Sequence, residues 1–152
     1  MSPPTHPIDL SLTNLPSVDL RRANLIGANL FGANLPMAKL NGAILINARL
    51  GLANLAAAQL YGSNLASARL RTANLSSANL EDASLIGADL TQSTLRSTRL
   101  VGANLEAATL VSADLTGAKL TGANLDETEL ADLTYDRTTR WPPMFDPPPP
   151  RA

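Results

Sequence analysis

Leucine occupies every fifth position from Leu10 to Leu130, giving 25 consecutive leucines without an insertion. Two residues before each leucine stands a small side chain. Of those 25 positions, 18 are alanine, Ser63 and Ser93 are serine, and Thr13, Thr98 and Thr128 are threonine, so that Ile8 and Val18 are the exceptions. A period of five fits neither ordinary element. On an α-helix, five steps of about 100° turn each leucine by about 140° from the last and scatter the set around the axis. In a flat strand, alternate leucines would face opposite sides. A chain that is extended only locally resolves the conflict: the small residue and the leucine point inward together, and the next two residues turn a corner. Repetition closes a coil whose interior contains leucine and alanine-sized groups. Eight of the nine glycines lie two places after a leucine, where a corner needs conformational freedom, and Pro16 and Pro36 lie one place after. No other proline falls between Leu10 and Leu130.

Composition narrows the classes. The 152 residues suit one domain, and a formal net charge of −1 argues against a direct nucleic-acid binder or a membrane-surface binder. The absence of cysteine removes disulfides and thiolate metal sites. The first ten residues carry Pro3, Pro4 and Pro7 but no basic segment followed by an apolar one, as a secretory signal would. Polar residues interrupt every apolar run well before the roughly 18 residues of a membrane span. A cytoplasmic location is therefore expected.

Stretches such as Ala23-Asn24-Leu25-Ile26-Gly27, Ala28-Asn29-Leu30-Phe31-Gly32 and Ala103-Asn104-Leu105 carry a further regularity. They resemble the A(D/N)LXX motif of the pentapeptide-repeat family, and the resemblance covers about four-fifths of the chain. It implies an all-β fold: a right-handed quadrilateral parallel β-helix with four repeats per coil, about six coils here. At a strand spacing of roughly 4.8 Å the rod is about 30 Å long.

The expected organisation is a flexible N-terminal segment over 1–7, the β-helix over 8–130, a C-terminal cap over 131–147 and a disordered tail over 148–152. Open solenoid ends invite edge pairing, so both need covers. Ile8 and Val18 are expected to plug the first coil. Tyr135, Trp141 and Phe145, three of the five aromatics, are expected to fold over the last. The segment 140–147 also resembles the short aromatic, proline-containing tails of some cyanobacterial family members.

With four repeats per coil, residues 20 apart stack, and surface columns become legible. Ile26, Ile46, Ala66, Ile86, Glu106 and Asp126 form one outward column that turns from apolar to acidic, with Ile44 beside it. Phe31, Met37, Leu52 and Tyr61 add apolar groups in the N-terminal half. Such a stripe reads either as a contact surface or as β-branched filling of a strand column. Charge divides along the rod. Residues 1–75 carry six basic and two acidic groups, residues 76–130 three basic and eight acidic. Arg49 and Arg69 share a column with Arg71 nearby, a spacing at which like charges repel unless an anion answers them, and Asp89 is next in that column. Asp126, Glu127, Glu129 and Asp132 form an acidic group without the spacing of a calcium loop. The asparagines before leucine are expected to form amide ladders between coils.

His6, the only histidine, has no acid or nucleophile placed against it by the sequence, so no catalytic, cofactor-binding or metal-ligating set is assigned. The function expected is a non-enzymatic protein-interaction scaffold, with an unidentified protein or a second copy as partner. Its candidate surface comprises Ile26, Phe31, Ile44, Ile46, Ile86, Arg49, Arg69, Arg71, Glu106, Asp126 and Glu127. The alternative follows from the resemblance: some family members are DNA mimics that inhibit DNA gyrase and confer quinolone resistance. DNA presents one negative charge per about 1.7 Å, so 30 Å of imitation wants on the order of 18. Thirteen acidic residues offset by twelve basic ones make a poor copy.

Overall fold

Each group of five residues uses its backbone in the same way. The computed structural model describes residues 6–152, so residues 1–5 of the expected N-terminal segment lie outside the described residues. From Leu10 to Leu120 the leucine N–H donates to the next coil, as Leu25 does to Ile44 at 2.7 Å. The following polar position donates back to the preceding coil, as Asn29 does to Ile8 at 2.8 Å. The residue two places after leucine also donates forward, as Gly27 does to Ile46 at 2.8 Å, and the small residue closes the corner onto its own leucine, as Ala28 does to Leu25 at 3.0 Å. The result is a right-handed, four-sided parallel β-helix.

The corners have the signature of type II turns. All 25 residues two places after a leucine take φ between 54° and 71°, and 17 of them are not glycine. An L-residue in that region costs about 1–2 kcal/mol. The forward hydrogen bond made by the same residue offsets the cost: Met37, at φ 57°, donates to Ala56 at 2.8 Å. Stacking therefore imposes the corner on residues that would not choose it.

One N–H per repeat remains, that of the residue just after leucine. Asparagine or aspartate side chains accept it across the leucine. Asn24 accepts from Ile26, Asn64 from Ala66, Asn104 from Glu106 and Asn124 from Asp126, at 2.9–3.2 Å. The motif thus completes the backbone's hydrogen bonding. The expected ladders form as well, at 2.7 Å beside the prolines and longer, at 3.2–3.4 Å, where the same oxygen also accepts a corner N–H. Pro16 and Pro36 have no N–H to offer, so the Asn14 and Asn34 oxygens accept instead from Asn34 and Asn54 Nδ2, both at 2.7 Å.

Twenty residues separate stacked positions on four faces. The first face runs Asp9, Asn29, Arg49, Arg69, Asp89, Thr109, Glu129, and the second runs from Asn14 to Thr134. The third runs from Asp19 to Arg140 and the fourth from Asn24 to Asn124. Inside, every repeat leucine from Leu25 to Leu120 is at most 2 % exposed, and from Ala28 to Ala118 the alanines two places before them are equally buried. Each such leucine contributes roughly 1.5–3 kcal/mol.

The ends differ from the expected boundaries. Pairing continues past Leu130. Leu133 takes a small-residue position, fully buried, and Tyr135 a leucine position. After one extra residue at the corner, Thr139, Arg140 and Trp141 form a final repeat: Arg140 pairs with Lys119, 21 positions away, and the Thr139 hydroxyl donates to Leu115 at 2.9 Å. Tyr135 meets Trp141 edge-on at 5.2 Å, and Trp141 stacks with Phe145 at 5.4 Å. The aromatics thus build the last coil from within the wall as well as covering it. The tail over 148–152, expected disordered, returns along the open edge. Tyr135 donates its hydroxyl to Pro148 at 2.6 Å, and the Arg151 N–H donates to Leu133 at 2.7 Å, the partner a further coil would have supplied. At the other end Val18 packs half-buried on the core, whereas Ile8 is 42 % exposed and plugs nothing.

Candidate functional site

The wall spends its polar groups on itself, so function has to be sought among outward side chains that the architecture leaves unused. Three ion pairs occur among the described residues: Arg21 with Asp19, Arg96 with Asp114 and Arg99 with Glu81. The last two bridge adjacent coils, one side chain reaching diagonally across a rung. Asp19 is held down to about 2 by hydrogen bonds from the Arg21 side chain and amide. At Asp114, burial pushes the carboxyl up, but hydrogen bonds from Thr116 and Arg96 outweigh it and the net direction is down.

Arg49, Arg69 and Arg71 are different. Arg49 and Arg69 face each other across a parallel bridge, all three are exposed, and none forms an ion pair within 4 Å among the described residues. Asp89 does not answer them. It is the next rung, but its carboxylate accepts the Thr91 N–H at 3.0 Å, doing the corner work of the asparagines. The Asp9 carboxyl is lowered chiefly by hydrogen bonds from Ser11, with a smaller pull from the charge of Arg49. Adjacent guanidiniums without a counter-charge repel one another, so the fold gains nothing from them.

The apolar candidates divide. Ile26, Ile86 and Ile44 are 50 %, 40 % and 36 % exposed, whereas Ile46 is half-buried within its column. Phe31 lies against the bare backbone of Gly51, whose missing side chain makes room for the ring; a Cβ there would stand 3.2 Å from it. Phe31 thereby borders the arginines, since Gly51 and Arg71 continue its column. Glu106, Asp126 and Glu127 sit together on the corner before the first face, exposed and outside any ion pair among the described residues. The first face and its two corners thus carry every one of the candidate side chains except Ile44, which lies on the fourth face.

His6 is exposed. Among the described residues no group of three or more His, Asp or Glu side chains is placed to hold a metal ion, and the cluster of Asp126, Glu127, Glu129 and Asp132 does not converge into one. No helix of the described residues is long and apolar enough to cross a membrane. A shallow depression of about 490 Å³ lined by Asp19, Arg21, Arg22 and Asn41 flanks the opposite side of the first coil.

The geometry agrees with comparison to known proteins. The profile of the pentapeptide-repeat family matches in overlapping stretches from 8–47 through 88–126. No curated protein matches the chain by sequence. Among solved structures, the chain is similar to the pentapeptide repeat protein Rfr23 from the cyanobacterium Cyanothece 51142, at 33 % identity over 88 % of this chain and 90 % of that one, with a TM-score of 0.60. HetL, a pentapeptide repeat protein involved in heterocyst differentiation regulation in the cyanobacterium Nostoc sp. strain PCC 7120, is 30 % identical over 83 % of this chain and 73 % of its own, with a TM-score of 0.37. QnrB1, a plasmid-mediated fluoroquinolone resistance protein, is 16 % identical over 86 % and 92 %, with a TM-score of 0.42. Period, corner geometry, the family profile and the likeness to Rfr23 agree that the chain belongs to the pentapeptide-repeat family.

Proposed function

We propose that this chain is a non-enzymatic protein-binding rod whose working surface is the first face with its two flanking corners. The observation that carries this reading is the arginine group of Arg49, Arg69 and Arg71. Arg21, Arg96 and Arg99 each have a carboxylate partner, whereas Arg22 and the three of this group form no ion pair among the described residues, and only in this group do two unpaired arginines stack as like charges. A group that costs the fold something is explained by what it binds, here an acidic surface on a protein. Phe31 and the isoleucine column add apolar area at its margins.

The test compares the native chain with an Arg49→Glu/Arg69→Glu/Arg71→Glu variant and a control in which Lys39 and Lys119, on the third face, are reversed. Proteins captured by native and control chains but lost by the arginine variant support the reading. Identical capture by all three overturns it.

Gyrase inhibition by DNA mimicry is the second reading, favoured by the exposed group of Glu106, Asp126 and Glu127. Two other carboxylates of the acidic half, Glu81 and Asp114, are neutralised by Arg99 and Arg96, which weakens the imitation further. A supercoiling assay decides it: inhibition that disappears when Glu106, Asp126 and Glu127 are neutralised would replace the scaffold reading.

A further inference from the structure

We infer that the arginine group binds a phosphoserine or phosphothreonine of an extended protein segment, the phosphoryl group lying across the rungs of Arg49 and Arg69; this rests on the reading of the first face as a binding surface. The corner beside that face carries the argument. Successive coils place Phe31, Gly51, Arg71 and Thr91 there, each one residue after a leucine. At the outer two, the side chain two places earlier takes the N–H: Asn29 accepts from Phe31 at 3.2 Å and Asp89 from Thr91 at 3.0 Å. At the inner two that side chain is Arg49 or Arg69, which has donors only. The N–H groups of Gly51 and Arg71 accordingly have no acceptor among the described residues. Open corner amides occur elsewhere, as at Ile46 and Val111, but only here do two successive rungs combine them with arginines outside any ion pair. Two backbone donors and the guanidiniums of Arg49 and Arg69 therefore share one patch two rungs long, where the rest of the wall supplies acceptors.

Charge and oxygen count select the ligand. Arg49, Arg69 and Arg71 against Asp89, which bounds the patch on the next rung, leave 3 − 1 = 2 positive charges. A phosphoryl ester carries about −1.5 to −2 at pH 7 and three acceptor oxygens, enough to answer both amides and still bridge guanidiniums one rung apart. A carboxylate has one charge and two oxygens, so it leaves donors and charge unanswered.

The margins select a peptide over free phosphate. The Phe31 ring lies against Gly51 and is 40 % exposed, and Leu52, the neighbour of Gly51 in the chain, is 58 % exposed. Apolar surface thus adjoins the donors. A chain that carries the phosphate covers it, and inorganic phosphate does not.

Amide NMR of the isotope-labelled full chain, titrated with a short phosphoserine peptide of otherwise uncharged residues, tests the inference. The unphosphorylated peptide, its glutamate counterpart and inorganic phosphate form the other arms. The expected result is saturable movement of the Gly51 and Arg71 amide signals, with the phosphopeptide bound about tenfold or more tighter than the other three. Arg49→Asn/Arg69→Asn removes both guanidiniums and supplies the acceptor that asparagine supplies at other corners. This variant should melt no lower than the native chain and should lose about tenfold or more in affinity for the phosphopeptide. Stationary Gly51 and Arg71 signals up to about 5 mM phosphopeptide, or a variant that binds it as the native chain does, overturn the inference. Equal binding of inorganic phosphate overturns the peptide as occupant, and equal binding of the glutamate peptide overturns the phosphoryl group. None of these results bears on the capture experiment, which fails only if reversal of the arginines loses no partner.

Discussion

Tyr135 donates its hydroxyl to the carbonyl of Pro148 at 2.6 Å, and this bond ties the last five residues to the coil they would otherwise leave. Three residues on, the Arg151 N–H occupies the Leu133 carbonyl. Replacement Tyr135→Phe removes the first bond and keeps the ring against Trp141. The expected result is a loss of about 1 kcal/mol and much faster hydrogen exchange at the Arg151 amide, with the rod's own amides unaffected. Exchange at Arg151 that matches the native protein would show that the tail is retained by other contacts.

Two glycines separate backbone strain from steric contact. Gly62 has φ +62° with nothing within 4 Å of a built Cβ, so Gly62→Ala should cost about 1 kcal/mol from conformation alone. Gly51 has no left-handed φ, but a Cβ there meets Phe31 at 3.2 Å. Gly51→Ala should therefore displace the ring, seen as a change in the exposure of Phe31 and in its fluorescence or NMR shifts. Combining Gly51→Ala with Phe31→Ala should abolish that contact. Urea denaturation of both single variants reads the costs directly.

A buried hydroxyl makes an opposite prediction. Ser93 Oγ is enclosed without a hydrogen-bond partner among the described residues, whereas Ser63 Oγ donates to Leu60 at 2.7 Å from an equivalent inward position. Ser93→Ala should stabilise the protein by about 1 kcal/mol and Ser63→Ala should not, because an unpaired buried hydroxyl costs what a paired one recovers. Equal effects in thermal melts would contradict the difference.

Acid acts on the first coil through Asp19. Its pKa is lowered from the ordinary 3.8 to about 2 by the Arg21 side chain and amide, so the folded state binds its proton less readily than the unfolded chain. The stabilisation is fully present above about pH 4 and is lost as pH falls through about 2. An NMR titration should find the Asp19 midpoint near 2 in the native protein and higher in Arg21→Ala.

Much of this architecture is readable from Leu10 to Leu130, because a solenoid repeats one local solution and a five-residue period admits few geometries. The columns are readable for the same reason: Arg49 beside Arg69 and Ile26 beside Ile46 follow from a 20-residue coil. What the period cannot reach is what departs from it. Tyr135 keeps the count but puts an aromatic where leucine is expected, and Trp141 stands in a leucine position only because one residue is inserted at the corner between them, which breaks the count that would have revealed it. The tail's return depends on one carbonyl left open at Leu133, invisible without the coil that leaves it open. The corner role of asparagine is hidden for another reason: Asn24, Asn34 and Asn104 are the same residue in the same motif position, yet Asn24 accepts a corner N–H, Asn34 accepts in a ladder and Asn104 does both. Charge pairing was likewise hidden. Asp89 is correctly next to Arg69, yet its carboxylate turns to Thr91, a choice set by an amide that needs an acceptor.

The claim on which the functional account depends is that the arginines of the first face are surplus to the fold. Thermal denaturation of Arg69→Gln, at a concentration dilute enough for the chain to be monomeric, tests it most directly. Removal of one of two stacked like charges should leave the melting temperature unchanged or raise it by a degree or two, more at low salt than at high. A fall of several degrees at every salt concentration would mean that Arg69 helps to hold the coils together, and the face would be architecture and not a binding surface.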